Sequence, residues 1–221
     1  NRIHNTLYVT AFFACVTMYG QGTAPVDSDS DGKLEIASKQ HLLYLSANGS
    51  ANWSGSYEQT ANIAFTAGDF ESGGDFYNGG EGFSPIGTGF TKFTGSYDGQ
   101  DYTIDSLYIN RPSADRSALF GYAEGAIIEN LGLTNVNITG KGYVGGLVGN
   151  TLNNCTITNC YTTGQIRGLD DIVGGLVGIH QQNSTLTRCY STVDVIGDSS
   201  YVGGLVGWNT GSSSANGSVV S

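Results

Sequence analysis

Tyr143-Val-Gly-Gly-Leu-Val-Gly149, Ile172-Val-Gly-Gly-Leu-Val-Gly178 and Tyr201-Val-Gly-Gly-Leu-Val-Gly207 are one heptapeptide written three times, with starts 29 residues apart. Two other series keep the same period: Leu131, Cys160 and Cys189, and Thr134, Thr163 and Thr192. A looser copy, Ser117-Ala-Leu-Phe-Gly121, precedes them, with Leu119 standing 28 residues before Leu147. A unit of this length carries several short strands and cannot bury its apolar side alone; stacked copies can, each strand pairing with its counterpart one rung away. The repeat therefore predicts an all-β protein, a right-handed parallel β-helix (solenoid) with about 29 residues per rung. A propeller is the competing repeat fold, but its blades usually need about 40 residues.

In that arrangement Val144, Val173 and Val202 form one inward ladder, Leu147, Leu176 and Leu205 a second, and Ile157 and Leu186 a third. Glycines 145, 146 and 149 are expected where the backbone needs positive φ or close approach. Cys160 and Cys189 share a column on adjacent rungs. In-register parallel strands suit disulfide torsions poorly, so free, buried thiols are expected, with Cys155 beside a small-residue column (Ala126, Ser184).

Composition agrees with this reading and excludes several others. The 221 residues include 34 Gly, 39% hydrophobic and only 13% charged residues. The glycines follow no three-residue period, so collagen is excluded, and the apolar content argues against disorder. A net charge of −10 with nine scattered basic residues argues against a nucleic-acid partner and against attraction to anionic membranes.

Residues 1–21 have the shape of a secretory signal peptide. Arg2 and His4 precede an apolar run, Leu7 to Val16, too short to span a bilayer; the alternative is a first strand. Residues 22–49 hold an acidic loop and then Leu42, Leu43, Leu45 and Ala47 at helical spacing after a candidate N-cap, Ser38. This predicts a short N-terminal capping helix. Residues 50–221 form the β-helix, clearest over 114–221. Ser218-Val-Val-Ser221 reads as the start of another rung, so the chain is expected to stop mid-repeat, with further repeats or domains C-terminal to it.

Asp27-Ser-Asp29-Ser-Asp31-Gly32 has the alternating carboxylates and turn glycine of a calcium loop. Alternate residues send oxygens to one side, where a hard cation collects them; the Lys33 carbonyl and Glu35 would add further ligands. Ser38 stands where an EF-hand has its bidentate Glu, so the expected Ca2+ site is of a different or weaker kind. The competing reading is a solvated acidic linker.

Catalytic motifs are missing. The histidines stand at 4, 41 and 180 with no His-Glu-x-x-His, and no Gly-x-Ser-x-Gly elbow is present. Asp170-Asp171 is the best carboxylate pair, but it adjoins a repeat corner and reads as a solvated turn. The Thr134, Thr163, Thr192 column is too thin for an ice-binding face, since its neighbours are Leu133, Thr162 and Ser191.

The Gly146-Leu-Val-Gly149 core and its copies resemble the GLUG-repeat proteins. So do Asp31-Gly-Lys-Leu-Glu-Ile36, Pro85-Ile-Gly87, Phe93-Thr-Gly-Ser-Tyr-Asp-Gly99 and Asn159-Cys-Tyr161. Such repeats occur in large secreted or surface-anchored bacterial proteins, including adhesin-like proteins and the non-catalytic part of immunoglobulin A-cleaving metallopeptidases. The resemblance implies a β-helical stalk or binding module and identifies no ligand. The leading expectation is a non-enzymatic, extracellular module, with surface glycans or host and extracellular proteins as candidate partners and no membrane insertion once the signal is removed. The alternative is a β-helical accessory region of a larger secreted metallopeptidase or glycan-degrading enzyme whose catalytic domain lies elsewhere.

Overall fold

The computed structural model describes residues 22–47, 51–198, 200–210 and 214–216. The signal-peptide reading of 1–21 and the rung expected at 218–221 lie outside these residues. What is described is the expected all-β parallel solenoid. One seven-stranded parallel sheet runs through Leu34–Ile36, Ser56–Gln59, Ser96–Asp98, Ile127–Glu129, Thr156–Thr158, Thr185–Thr187 and Ser214–Asn216. A second runs through Ile63–Ala64, Thr103–Asp105, Gly132–Gly140, Tyr161–Gly168 and Tyr190–Gly197, with Tyr108–Arg111 also pairing to Gly132–Gly140. A third joins Phe120–Glu124, Val148–Leu152, Val177–Gln181 and Val206–Thr210. Ile172–Gly174 pairs with Tyr201–Gly203 at the remaining corner.

Register follows the repeat. Ile157 stacks on Ile128 and under Leu186, and Val173 lies between Val144 and Val202. Val144, Val173, Leu147, Leu176, Ile157 and Leu186 are all fully buried, as their alternation demands. Val202 departs from its ladder and is 45% exposed, because no described strand pairs on its outer side. Cys155, Cys160 and Cys189 are free and buried, and the Cys160 amide donates to Cys189 Sγ at 3.4 Å. Burial pushes the Cys160 thiol pKa well up.

The corners are chemically distinct. Asn130, Asn159 and Arg188 occupy one left-handed column, with φ of 53°, 54° and 53°. Asn tolerates that region because its short amide bonds locally. Here the amides also link coils: Asn159 Nδ2 donates to Asn130 Oδ1 at 2.8 Å, and Arg188 Nε donates to Asn159 Oδ1 at 2.6 Å. The repeat glycines work differently. None of the nine in the three heptapeptides has positive φ, but almost every one has backbone pressed against the place where a Cβ would sit. Gly145, for example, would put a Cβ 2.3 Å from the Val148 carbonyl oxygen.

The threonine column is broken by a bulge. Asn135, at φ 52°, is an extra residue opposite Thr162–Gly164. Thr134 Oγ1 then donates to Asp105 Oδ1 at 2.6 Å, and Thr163 Oγ1 accepts from the Asn135 amide.

At the N-terminal end, helix Lys39–Ala47 buries Leu42, Leu43 and Leu45 in the same core as the first strands. Ser38 Oγ accepts from the His41 amide at 3.4 Å, and Trp53 Nε1 donates to the Leu45 carbonyl at 2.9 Å, so both ends of the helix find partners. Between the first and second coils the chain departs from the repeat. Residues 65–95 include a short helix, Ala67–Phe70, and a knot of Phe65, Phe70, Phe76 and Phe83, with the Phe65 and Phe76 rings 4.9 Å apart, edge to face. No helix among the described residues is long and apolar enough to cross a membrane.

Candidate functional site

The acidic loop immediately precedes the first strand of the seven-stranded sheet. Positive φ at Ser30 and Gly32 turns the chain back on itself, and the Glu35 amide donates to the Val26 carbonyl at 2.9 Å. The fold gathers the carboxylates of Asp27, Asp29 and Asp31 to within 4.8 Å of one another. Asp27 Oδ2 accepts from the Gly32 amide at 3.0 Å, and Asp31 Oδ1 accepts from the Lys33 amide at 2.8 Å. Asp29 Oδ1 accepts from the Asp31 amide at 3.2 Å.

The side chains of the other two expected ligand residues make further contacts. Glu35 is turned away: its Oε1 accepts from both the amide, at 3.0 Å, and the hydroxyl of Ser28. The Lys33 side chain reaches the next coil, where its ammonium donates to Glu58 Oε2 at 3.1 Å and lies 3.7 Å from Asp31 Oδ2. The bond to Glu58 raises the Lys33 pKa. Three hard carboxylates on one exposed loop fit the chemistry of a calcium ion, which takes six to eight oxygens and accepts water among them.

An acidic ladder adjoins this loop, and no sequence spacing announces it. Glu35 pairs with Glu58, Glu58 with Asp98, and Asp98 with Glu129 on successive coils. Like charges directly opposite one another repel. Polar neighbours answer part of that repulsion: Asn130 Nδ2 donates to Asp98 Oδ1 at 2.9 Å, and Gln100 Nε2 donates to Asp98 Oδ2 at 3.0 Å. The seven carboxylates of loop and ladder make one side of the N-terminal coils strongly electronegative.

Several other polar and aromatic groups are engaged in structure. Asp170 lies on an open turn, 3.7 Å from the ammonium of Lys141. Tyr161 and Tyr190 stack on each other with parallel rings 4.9 Å apart. Tyr143 and Tyr122 sandwich the Arg116 guanidinium, at 5.2 and 5.0 Å. His180 is buried, with its ring nitrogens 3.2 Å from Thr151 Oγ1 and 3.0 Å from the Ser184 carbonyl.

The GLUG motif matches twice, at residues 140–167 and 172–196, each spanning one coil of the C-terminal half. These two segments are GLUG repeats. The chain is also 37% identical over 163 residues to Halomucin of Haloquadratum walsbyi, and 38% identical over 73 residues to a protein of Evansella cellulosilytica named as a Gly-rich membrane protein. These alignments take in 72% and 31% of the chain but only 2% and 8% of the two relatives, which are far longer. Among solved structures, a provisionally named immunoglobulin A1 protease from Bacteroides ovatus superposes with a TM-score of 0.58 at 17% identity, over 89% of this chain and 66% of the other. That likeness shows the solenoid fold.

Proposed function

We propose that this GLUG-repeat chain is a non-enzymatic solenoid of a secreted or cell-surface protein, acting as an adhesin-like stalk or binding module. The observation that carries this reading is the stacking itself. Stacked coils share one continuous core and hold outward side chains in columns along it, which is what a rigid spacer or display surface requires. Similarity to a small part of a very long protein, Halomucin, supports a segment that works by extension. A second reading, an accessory region of a larger secreted metallopeptidase or glycan-degrading enzyme, draws on the name of the Bacteroides ovatus structure.

Incubating the 221-residue chain with polysaccharides and peptides is expected to release no product. Product formation abolished by Asp170→Asn or Asp171→Asn would replace the non-enzymatic reading with a catalytic one. Retention on an array of glycans and host glycoproteins is the positive test of the module.

The acidic loop enters the same proposal as a calcium site that fastens the first strand. Asp27, Asp29 and Asp31 would hold the ion, and the ion would add to the positive charge that Lys33 brings to Asp31 and Glu58. A ligand present at a hundred times its Kd stabilises by about 2.7 kcal/mol. For a domain of this size the expected rise in Tm over a chelator control is then about 5–10 °C. Asp29→Asn is expected to remove most of it. An identical Tm in calcium and in chelator would rule the site out.

A further inference from the structure

A cleft of about 440 Å³ opens on the second sheet, where the Ala67–Phe70 insertion folds down against it. We propose that this cleft binds a neutral, hydroxyl-rich oligosaccharide; the inference deepens the binding-module reading and rests on it. The half-buried rings of Phe70 and Tyr108 form its floor, with centroids 5.4 Å apart and planes inclined by 59°. Inclined rings with their faces partly open offer an apolar patch on which the C–H face of a sugar ring can lie.

Planar polar groups surround that patch. Asp105 acts as their organiser: its Oδ1 accepts from Asn135 Nδ2 at 2.7 Å and from Thr134 Oγ1, and its Oδ2 accepts from Ser106 Oγ at 2.8 Å. Burial pushes the Asp105 pKa up, but these three donors outweigh it and hold the carboxyl below its usual range. Asn135 is thereby fixed with its carbonyl oxygen available. Glu71 and Asn137, both exposed, have side chains with no partner among the described residues. Such preset acceptors and donors suit sugar hydroxyls, because a fixed amide loses little freedom on binding.

The cleft continues along the solenoid. Tyr108 is in register with Asn137, Asn137 with Gln165, and Gln165 with Asp194. The last three are exposed, so an outward row of amide and carboxylate groups repeats at about 4.8 Å, the strand spacing. An extended chain laid along this row meets a hydrogen-bonding group at every coil. Among the described residues no Lys or Arg lines the cleft, whereas Glu71 lines it and Asp194 ends the row. That charge pattern in a protein of net charge −10 disfavours uronic, sulfated and phosphorylated polymers and selects neutral ones.

The test is affinity electrophoresis of the 221-residue chain through gels containing a mixed-linkage β-glucan, a galactomannan or polygalacturonate. Retardation is expected with at least one neutral polymer and not with polygalacturonate. Tyr108→Ala is expected to weaken retention about tenfold, and Asn137→Ala about threefold, the loss of one net hydrogen bond. Asn137 is exposed, so its variant remains informative if Tyr108→Ala loosens the insertion. Neutral-polymer binding left unchanged by both variants would overturn the cleft while leaving the module intact. Retardation by polygalacturonate alone, or by no polymer, would overturn the cleft as well, and the glycoprotein array then decides the module on its own.

Discussion

Replacing Gly175 with alanine is expected to destabilise the protein by about 3 kcal/mol, whereas the same change at Gly204 is expected to stay within about 1 kcal/mol of neutral. The two residues hold the same place in consecutive copies of the repeat, and neither has positive φ. A Cβ on Gly175 would lie 2.0 Å from the Gly204 carbonyl oxygen and 2.3 Å from Ser191 Oγ. The serine can rotate; the carbonyl belongs to the next coil and cannot withdraw without moving it. Moving that coil would stretch the Gly175 amide's bond to the Gly203 carbonyl and disturb the neighbouring ladder. A Cβ on Gly204, by contrast, meets nothing within 4 Å among the described residues. Denaturant midpoints of the two variants read the difference directly. Equal losses would mean that the glycines serve local backbone conformation rather than coil-to-coil approach. On this account the motif that marks the family is a packing device, which is why it recurs without naming a ligand.

The same contrast separates what is legible in the amino-acid sequence from what is not. Stacking in register places residue i on its counterpart one period away, so constant spacing along the chain is enough to identify a column. Val144 with Val173, Ile157 with Leu186 and Cys160 with Cys189 are readable for that reason. The capping helix is readable from its leucine spacing. The acidic ladder is not, because Glu35, Glu58, Asp98 and Glu129 keep no constant interval: the chain between them carries a helix and a long insertion. Residues 65–95 carry no periodic signal, so neither the phenylalanine knot nor the Phe70–Tyr108 cleft can be placed from spacing. At the acidic loop the carboxylates of Asp27, Asp29 and Asp31 that the alternation groups lie within 4.8 Å of one another. It does not show that the Ser28 amide and hydroxyl hold Glu35 aside, since both carboxylate–hydroxyl and carboxylate–cation contacts fit the same spacing.

Leu176→Ala is expected to cost about 2–5 kcal/mol, the range for emptying a fully buried leucine site, with the protein still folding to the same solenoid. Leu176 lies between Leu147 and Leu205 in the column, and its amide and carbonyl bond to Leu205 and Leu147 on either side. Rigid coils above and below leave little room for the cavity to collapse, which argues for the upper half of that range. Leu205→Ala should cost distinctly less. Its coil already exposes Val202 and Trp208, and in a repeat protein a coil at the edge of the described stack can loosen without the rest. The same reasoning orders the hydrogen exchange of the amides. Those of Tyr201–Gly203 and Val206–Thr210 should exchange first. Those of Ser96–Asp98 and Gly132–Gly140, each held between neighbouring coils, should exchange last. A uniform protection pattern, or equal losses for Leu176→Ala and Leu205→Ala, would mean that the solenoid unfolds as one cooperative block, and that its stability does not depend on how many coils lie beyond a given point.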